Sequence, residues 1–265
     1  MYSFTYAKPG SLHDVGVLVG AETLFLAGGQ TLIPALKQRL NKPAALLDLS
    51  GVSELKGIHA QDGAIGIGAM TTHDEVANAE AIKAAIPALA KLAGNIGDPQ
   101  VRNRGTLGGS IANNDPAADY PAAMLALGAV IMTNRRQLAA DEFFTGMFST
   151  ALEHGELITS VGIPVPEHAA YAKFEQRASR YALVGVFVAK TGNDVRVAVT
   201  GAGANGVFRA TEIEQALSQS FTADAAKSVA LSADGMIGDL HGSAEYRAAM
   251  VSVMAARAVA AALAS

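Results

Sequence analysis

Residues 23–33 read TLFLAGGQTLI, in which a glycine pair separates two apolar runs. The first four residues predict a buried strand, and the apolar residues between Leu32 and Leu40 recur at helical spacing. Thr31 is in place to cap that helix, and residues 45–49 predict the next strand. Strand, turn, helix and strand together indicate a βαβ unit. Its glycine turn exposes backbone N–H groups at a helix N-terminus, where the helix dipole favours an anion.

A second glycine turn lies in the segment 94–121, which has no apolar periodicity and is rich in Gly, Asn, Asp, Pro and Arg. A long loop of this composition is typical of a functional site. Residues 106–110 read TLGGS, in which the glycine pair leaves room for a ligand to approach the backbone. The following Asp115 and Asp119 can accept hydrogen bonds from ribose or ribityl hydroxyls. Two such turns predict a site for a cofactor with a long phosphate-bearing body.

The composition excludes several classes of function. Without cysteine, the chain holds no disulfide and no cysteine-ligated zinc or iron–sulfur centre, so a redox group of its own must be organic. A net charge of -4 provides no basic field for nucleic acid, and the six histidines form no metal-binding pattern. The longest apolar stretch, residues 122–132, is about half a membrane span, and residues 1–9 lack a signal-peptide pattern. We therefore expect a soluble cytoplasmic protein without a membrane span.

Beyond the βαβ unit, the sequence indicates an α+β organisation. The predicted elements are a hairpin at Ile58 and 64–68 with Gly63 in its turn, a helix from a Thr72 capping box toward Lys83, helices over 84–92 and 121–127, strands over 129–133, 170–178, 183–190 and 195–200, and helices within 211–264, the last over 250–263. Strands followed by helices indicate a separate C-terminal domain. Residues 201–206 read GAGANG, but no helix follows at once, so we interpret this G-x-G-x-x-G match as a loop.

Several motifs in this order resemble the FAD-binding (medium) subunit of molybdenum hydroxylases, the CO dehydrogenase and xanthine dehydrogenase family. The motifs are AGGQTLIP at 27–34, IGAMTTH at 67–73, RNRGTLGGSIAN at 102–113, DPAADYP at 115–121, YAKF at 171–174 and HGSAEYR at 241–247. The resemblance implies an α+β fold with a two-part FAD-binding domain of the vanillyl-alcohol-oxidase-like (PCMH) type over residues 1–167. Its subdomains would cover about 1–54 and 55–167. A small α+β domain with a three-stranded antiparallel sheet and helices would follow over 168–265.

The same resemblance implies which residues contact FAD. The first turn would wrap the pyrophosphate, the second would hold the other side of the diphosphate and the ribityl region, and Asp119 would accept a hydrogen bond from the cofactor. Lys173 and Tyr181 would lie near the isoalloxazine. The full predicted set is Leu26, Ala27, Gly28, Gly29, Gln30, Thr31, Thr106, Gly108, Gly109, Ser110, Asp115, Asp119, Ile163, Lys173 and Tyr181. We expect no catalytic acid–base residue and no metal ligand in the chain.

By the resemblance, the chain is an electron-transfer subunit. A large partner would carry the molybdenum cofactor, a small partner would carry [2Fe–2S] clusters, and a dimer of heterotrimers would form. Electrons would pass through FAD to NAD⁺, O₂ or another acceptor, and the sequence specifies neither this acceptor nor the substrate. Two alternatives stay open at this point. One is a free-standing FAD-dependent oxidoreductase, and the other is a non-catalytic interaction subunit whose glycine turns are structural.

Overall fold

The computed structural model describes residues 1–264 and has the predicted α+β fold. Ser265, the last residue of the predicted C-terminal domain, lies outside the described residues. The strands are β1 (Thr5–Ala7), β2 (Thr23–Leu26), β3 (Ala45–Asp48), β4 (Ile58–Gln61), β5 (Ala64–Gly68), β6 (Val130–Thr133), β7 (Gln137–Ala139), β8 (Phe144–Gly146), β9 (Ser149–Thr150), β10 (Ile158–Pro164), β11 (His168–Glu175), β12 (Ala182–Thr191), β13 (Asp194–Thr200) and β14 (Phe208–Arg209). The helices are α1 (Leu12–Leu18), α2 (Leu32–Lys37), α3 (His73–Asn78), α4 (Glu80–Ala85), α5 (Pro87–Gly94), α6 (Pro99–Arg102), α7 (Leu107–Asn113), α8 (Tyr120–Ala126), α9 (Ala140–Phe143), α10 (Thr211–Gln219), α11 (Ala223–Ser228) and α12 (Ala244–Leu263).

The first sheet has the order β1-β3-β2 with parallel neighbours, and α2 connects β2 to β3 as the predicted βαβ unit. Helix α2 is shorter than predicted: it ends at Lys37, because Arg39 adopts a left-handed φ of 60° and Leu40 is 72% exposed. Thr31 is the N-cap residue of α2, as predicted, but it does not cap the helix with its side chain. Thr31 already has helical backbone angles (φ -102°, ψ -48°), and its side chain makes no capping hydrogen bond.

The second sheet is antiparallel, in the order β4-β5-β10-β6-β7. The predicted hairpin of β4 and β5 is confirmed, with Gly63 in its turn at φ 75°. Ile65 and Ile67 of β5 and Val161 and Ile163 of β10 are fully buried. They pack with apolar residues of α3, α4, α5, α7 and α8 into the main hydrophobic core.

The capping box predicted at Thr72 is confirmed. The Thr72 hydroxyl accepts from the Glu75 N–H at 3.2 Å, and the Glu75 carboxylate accepts from the Thr72 N–H at 2.7 Å. The helix that it starts, α3, stops where Ala79 adopts extended backbone angles, and α4 follows. The single helix predicted to run toward Lys83 is therefore two helices.

The segment 94–121, predicted as a loop, contains helices α6 and α7. Helix α7 begins after Thr106, whose hydroxyl accepts from the Gly109 N–H at 3.1 Å. The second glycine pair therefore lies in the first turn of a helix. The apolar periodicity of the sequence did not reveal α7, because the helix has only 7 residues. Leu107 and Ile111 are its buried apolar side chains, and two positions are too few to show a helical repeat.

The third sheet is antiparallel, in the order β11-β12-β13-β14, so a short fourth strand extends the predicted three. Its two faces are both covered. Val186 and Val188 of β12 point to a second core built with α10, α11 and α12, whereas Phe187 and Ala189 join the main core. The segment 201–206 connects β13 to β14, which confirms that its glycine pattern is a loop.

The last helix, α12, begins at Ala244, earlier than the predicted residue 250. It is the candidate membrane span among residues 1–264, because its length and apolar composition are sufficient to cross a bilayer. Half of it is buried inside the protein, and Val251, Met254 and Ala258 are fully buried in the second core. These contacts are those of a core helix that covers one face of the third sheet.

Candidate cofactor-binding site

A cavity of about 550 Å³ lies where the first sheet, the helices over the second sheet and one end of the third sheet meet. This volume is in the range of small-molecule sites. All of the predicted cofactor-binding residues line it except Leu26, Ile163 and Lys173. The lining comprises Leu24, Phe25, Ala27–Thr31, Leu32, Ala35, Asn41, Leu49, Ala69, Met70, His73, Ile96, Gly97, Val101, Gly105, Thr106, Gly108–Ser110, Ala112, Asn113, Asp115, Ala118, Asp119, Leu152, Glu156–Ile158 and Ser179–Tyr181.

The first glycine turn packs against the backbone of residues 104–105, immediately before the second turn. A Cβ added to Gly28 would collide with the carbonyl of Arg104 and lie 2.7 Å from the Cα of Gly105. A Cβ added to Gly108 would lie 2.6 Å from the Cβ of Ala69. Gly28 is therefore required for the close packing of the first turn on residues 104–105, and Gly108 for the packing of α7 on Ala69. The sequence had suggested instead that these glycines leave room for a ligand.

The first turn offers backbone donors to a ligand. Gly29 has a left-handed φ of 72°, and within residues 1–264 the N–H groups of Gly28, Gly29 and Gln30 have no hydrogen-bond acceptor. A polar backbone group in a folded protein needs a partner, either water or a ligand. Because these residues line the cavity beside the start of α2, their N–H groups can receive an anionic oxygen there.

In the second turn, the N–H groups of both glycines and of Leu107 already have acceptors within the protein. The N–H of Leu107 donates to the Thr71 carbonyl at 3.0 Å, and the N–H of Gly108 donates to the Ala69 carbonyl at 2.9 Å. The N–H of Gly109 is taken by its own cap residue. What this turn presents to a ligand is therefore the side chain of Ser110, which lines the cavity.

Asp119 belongs to a buried polar cluster at the wall of the cavity. Its carboxylate accepts a hydrogen bond from the Tyr171 hydroxyl at 2.5 Å and lies 3.1 Å from the Lys173 ammonium. Burial raises the pKa of Asp119, and the Lys173 cation opposes this shift. Lys173 also donates to the carbonyls of Asn95 (3.1 Å) and Arg180 (2.9 Å), so its three ammonium protons are all bonded.

Three predicted residues lie outside the cavity lining. Lys173 stands behind Asp119, as described above. Ile163 is fully buried in the second sheet, where it pairs with Ile65 of β5. Leu26 ends β2, and its side chain packs beside Gly29. Each therefore supports a lining residue or a sheet and has no surface in the cavity itself.

Tyr181 stands at the mouth of the cavity and is 52% exposed. The segment that carries it is held by Arg180, which has a left-handed φ of 61° and donates to the Gly97 carbonyl at 3.0 Å. Burial raises the pKa of Tyr181, as do the nearby carboxylates of Asp115 and Asp119. The hydroxyl of Tyr181 is therefore neutral throughout the physiological range.

Glu156 is a lining residue that the sequence reasoning did not find, and its side chain is fully buried. Both of its oxygens bond to the Arg136 guanidinium, at 3.0 and 2.9 Å, and the Thr133 hydroxyl donates at 2.8 Å. These hydrogen bonds, chiefly those from Arg136, lower the pKa of Glu156 to about 2. Because its charge is compensated locally, Glu156 does not repel an anionic ligand strongly.

Other lining residues were also missed, among them Leu152, Leu157 and His73. The first two lie in residues 134–167, where the sequence pattern predicted no element. His73 was part of the IGAMTTH motif, but its expected role was that of a surface or structural histidine. Its place in that motif was the one signal in the sequence that could have indicated a role in the site.

Among residues 1–264, no group of three or more His, Cys, Asp or Glu side chains could hold a metal ion.

Comparison with known proteins agrees with this geometry. Residues 2–166 match the family described as the FAD binding domain in molybdopterin dehydrogenase. The chain therefore has the FAD-binding domain of a flavoprotein, and the unpaired N–H groups of the first turn are of the kind that the diphosphate of FAD requires.

The chain is 34% identical to the nicotine 6-hydroxylase medium subunit of Paenarthrobacter nicotinovorans, over 96% of this chain and 95% of that protein. It is 34% identical to the carbon monoxide dehydrogenase medium chain of Hydrogenophaga pseudoflava, over 97% and 96%. A chain in the solved structure of reconstituted CO dehydrogenase from Oligotropha carboxidovorans superposes with a TM-score of 0.90 at 35% identity, covering 99% and 98%. The chain belongs to the family of FAD-binding medium subunits of molybdenum-containing hydroxylases, which confirms the predicted family and cofactor.

Proposed function

We propose that this chain is the FAD-carrying electron-transfer subunit of a heteromeric molybdenum hydroxylase. It passes electrons from the [2Fe–2S] clusters of a partner subunit through FAD to a terminal acceptor. The observation that carries the proposal is the single cavity shared by both glycine turns, with unpaired N–H groups on Gly28, Gly29 and Gln30. The relatives named as medium subunits or medium chains of multi-subunit enzymes support the place of the chain in such a complex.

In this proposal, different residues hold different parts of the cofactor. Gly28, Gly29 and Gln30 hold the diphosphate, Ser110 donates or accepts a hydrogen bond beside it, and Tyr181 covers the mouth. Asp119 keeps a fixed position because Lys173 neutralises it. When bound, FAD supplies the capacity to accept and release electrons, and the chain binds it, orients it and excludes water.

The proposed complex contains a large subunit with the molybdenum cofactor and a small subunit with the [2Fe–2S] clusters, assembled as a cytoplasmic dimer of heterotrimers. The absence of cysteine supports this division, because clusters ligated by cysteine need another chain. Within the chain we propose an FAD-binding domain over 1–167, with subdomains of about 1–54 and 55–167. The C-terminal domain begins at residue 168 with β11.

The test is a titration of the purified chain with FAD, followed by flavin fluorescence and the visible spectrum. We expect saturable one-to-one binding. Gly109→Val should weaken it, because a Cβ there comes within 2.9 Å of the Thr106 hydroxyl and 3.4 Å of the Ala27 Cβ. Gly16→Val in α1 is the control, because no atom lies within 4 Å of a Cβ at Gly16. A folded wild-type chain that binds no FAD would contradict the proposal.

Two further experiments separate the alternatives. Co-purification with a large and a small partner is expected for the electron-transfer subunit, and a chain that turns over a substrate alone would be a free-standing FAD oxidoreductase. A chain that joins a complex without binding FAD would be a non-catalytic interaction subunit.

A further inference from the structure

His73 is a buried residue of the cavity wall that the proposed function leaves unexplained. It is the first residue of α3, is 5% exposed and lines the cavity. Its backbone N–H donates to the Gly105 carbonyl at 3.0 Å, next to the second turn. The residue is thus anchored where the two glycine turns meet.

The imidazole of His73 has no hydrogen-bond partner on either nitrogen within residues 1–264. Its Nδ1 is sealed from solvent, and the hydroxyl of Tyr120, whose ring centroid lies 5.3 Å away, is likewise buried and unpaired. Its Nε2 faces Gly105, since a Cβ added to that glycine would lie 2.5 Å from Nε2. Any side chain at position 105 would therefore cover the Nε2 edge of the imidazole, and glycine leaves it open.

The imidazole of His73 is neutral and therefore has a proton on one of its two ring nitrogens. Burial, followed by the nearby Arg102 cation, lowers the pKa of His73 to about 4. A neutral imidazole has one N–H donor and one acceptor nitrogen. An unpaired buried N–H is rarer in proteins than an under-satisfied acceptor, so the proton belongs on Nε2 and not on the sealed Nδ1.

The position of Nε2 indicates which part of a ligand it meets. Gly105 lies between His73 and Gly28, since a Cβ on Gly28 would approach the Gly105 Cα to 2.7 Å. The imidazole edge and the unpaired N–H groups of the first turn therefore line the same cavity on either side of Gly105. A hydrogen bond from a neutral donor to a phosphate oxygen is stronger than one between two neutral groups.

We propose that His73 donates a hydrogen bond from Nε2–H to a phosphate oxygen of the bound cofactor and is thus a cofactor-binding residue outside both glycine turns. This inference rests on the proposed function, because it takes the ligand to be FAD. It gives the unpaired Nε2 an acceptor, which lowers the cost of placing a polar side chain at this wall of the cavity.

The experiment compares FAD dissociation constants of wild type, His73→Phe and His73→Gln, with the exposed His59→Phe as the control. His73→Phe removes the donor at similar size and should weaken FAD binding by about tenfold to a hundredfold, as expected for a bond to a charged acceptor. His73→Gln can place an N–H where Nε2 lies, so it should bind within a few fold of wild type. His59→Phe should bind like wild type.

A spectroscopic readout does not depend on the variants. Nitrogen NMR of the ¹⁵N-labelled wild-type chain should show His73 protonated on Nε2, with a shift of that resonance when FAD is added. Phosphorus NMR of bound FAD should differ between wild type and His73→Phe. Unchanged affinity in His73→Phe, or a proton on Nδ1, would overturn the inference while leaving the proposed function intact. A wild-type chain that fails to bind FAD would overturn the proposed function first.

Discussion

The Lys173 ammonium lies 3.1 Å from the Asp119 carboxylate, and each side chain is only 6% exposed. The pair joins β11 of the third sheet to the residue that precedes α8 at the cavity wall. The Tyr171 hydroxyl bonds to the same carboxylate, so three groups from two parts of the chain form one buried cluster. The three hydrogen bonds of Lys173 leave it no proton to donate to a ligand, so its part in the cluster is to hold Asp119 at the wall of the cavity.

Lys173→Met should lower the free energy of unfolding by about 3–5 kcal/mol, because it leaves a buried carboxylate without its cation. Replacing both partners, as Asp119→Leu with Lys173→Met, should cost less than the lysine change alone, since no unpaired charge remains. Urea unfolding of the two single variants and the double variant measures this coupling. Additive costs would show that the two side chains act independently.

Gly28→Ala should destabilise the fold and weaken FAD binding together, because its Cβ would collide with the Arg104 carbonyl and push the first turn away from residues 104–105. Overpacking of this kind costs typically about 1–3 kcal/mol. Thermal unfolding and FAD titration on one sample measure both effects. Gly16→Ala is the matched control on an open helix surface, where alanine should be neutral or stabilising. A Gly28→Ala chain as stable as wild type would contradict the backbone contact.

Stability should fall as the pH is lowered from about 6.5 to about 4, because of His73. The pKa of His73 is lowered from 6.5 in the unfolded chain to about 4 in the fold, so in this window the unfolded state binds more protons. The largest slope from one such group is about 1.4 kcal/mol per pH unit. Urea unfolding between pH 4 and 7 measures the slope in wild type and in His73→Gln. The slope should be reduced in the variant, and equal slopes would show that other groups cause it.

Thr200→Val should loosen the turn that carries Asp115 and Asp119. The fully buried Thr200 hydroxyl lies 2.7 Å from the Ala118 carbonyl and 3.0 Å from the Pro116 carbonyl. The Gly201 N–H also bonds to Pro116, so the variant chiefly leaves the Ala118 carbonyl unpaired. An unsatisfied buried acceptor costs about 1–3 kcal/mol.

Chemical denaturation of the Thr200 variants provides the measurement, with FAD affinity as the second readout. Thr200→Ser retains the hydroxyl and should recover most of the lost affinity. If Thr200→Ser binds FAD as weakly as Thr200→Val, the methyl packing and not the hydroxyl is responsible.

Local signals in the sequence predicted the parts of the fold that local chemistry determines. The βαβ unit follows from apolar runs around a glycine turn, and the capping box at Thr72 follows from residue types at fixed spacing. The strands β7, β8 and β9 could not be predicted this way. They have 3, 3 and 2 residues, and such short segments become strands through their pairing partners and not through their own pattern.

The same distinction holds for the candidate site. The glycine turns were recognisable because glycine is unusual in such density, and they do line one cavity. Glu156 and His73 were not recognisable in the sequence. What distinguishes them is their burial and their contacts with residues distant in sequence. Lys173 was placed near the ligand by its motif, whereas its three hydrogen bonds turn it toward protein atoms.

Ser179, Arg180 and Tyr181 close one side of the cavity, and they lie beyond residue 166, where the family match ends. A truncated chain that stopped there would keep both glycine turns and lose this wall, together with the lysine that neutralises Asp119. The family match therefore ends before the last residues that line the cavity. We therefore expect a fragment that ends at residue 166 to bind FAD more weakly than the whole chain.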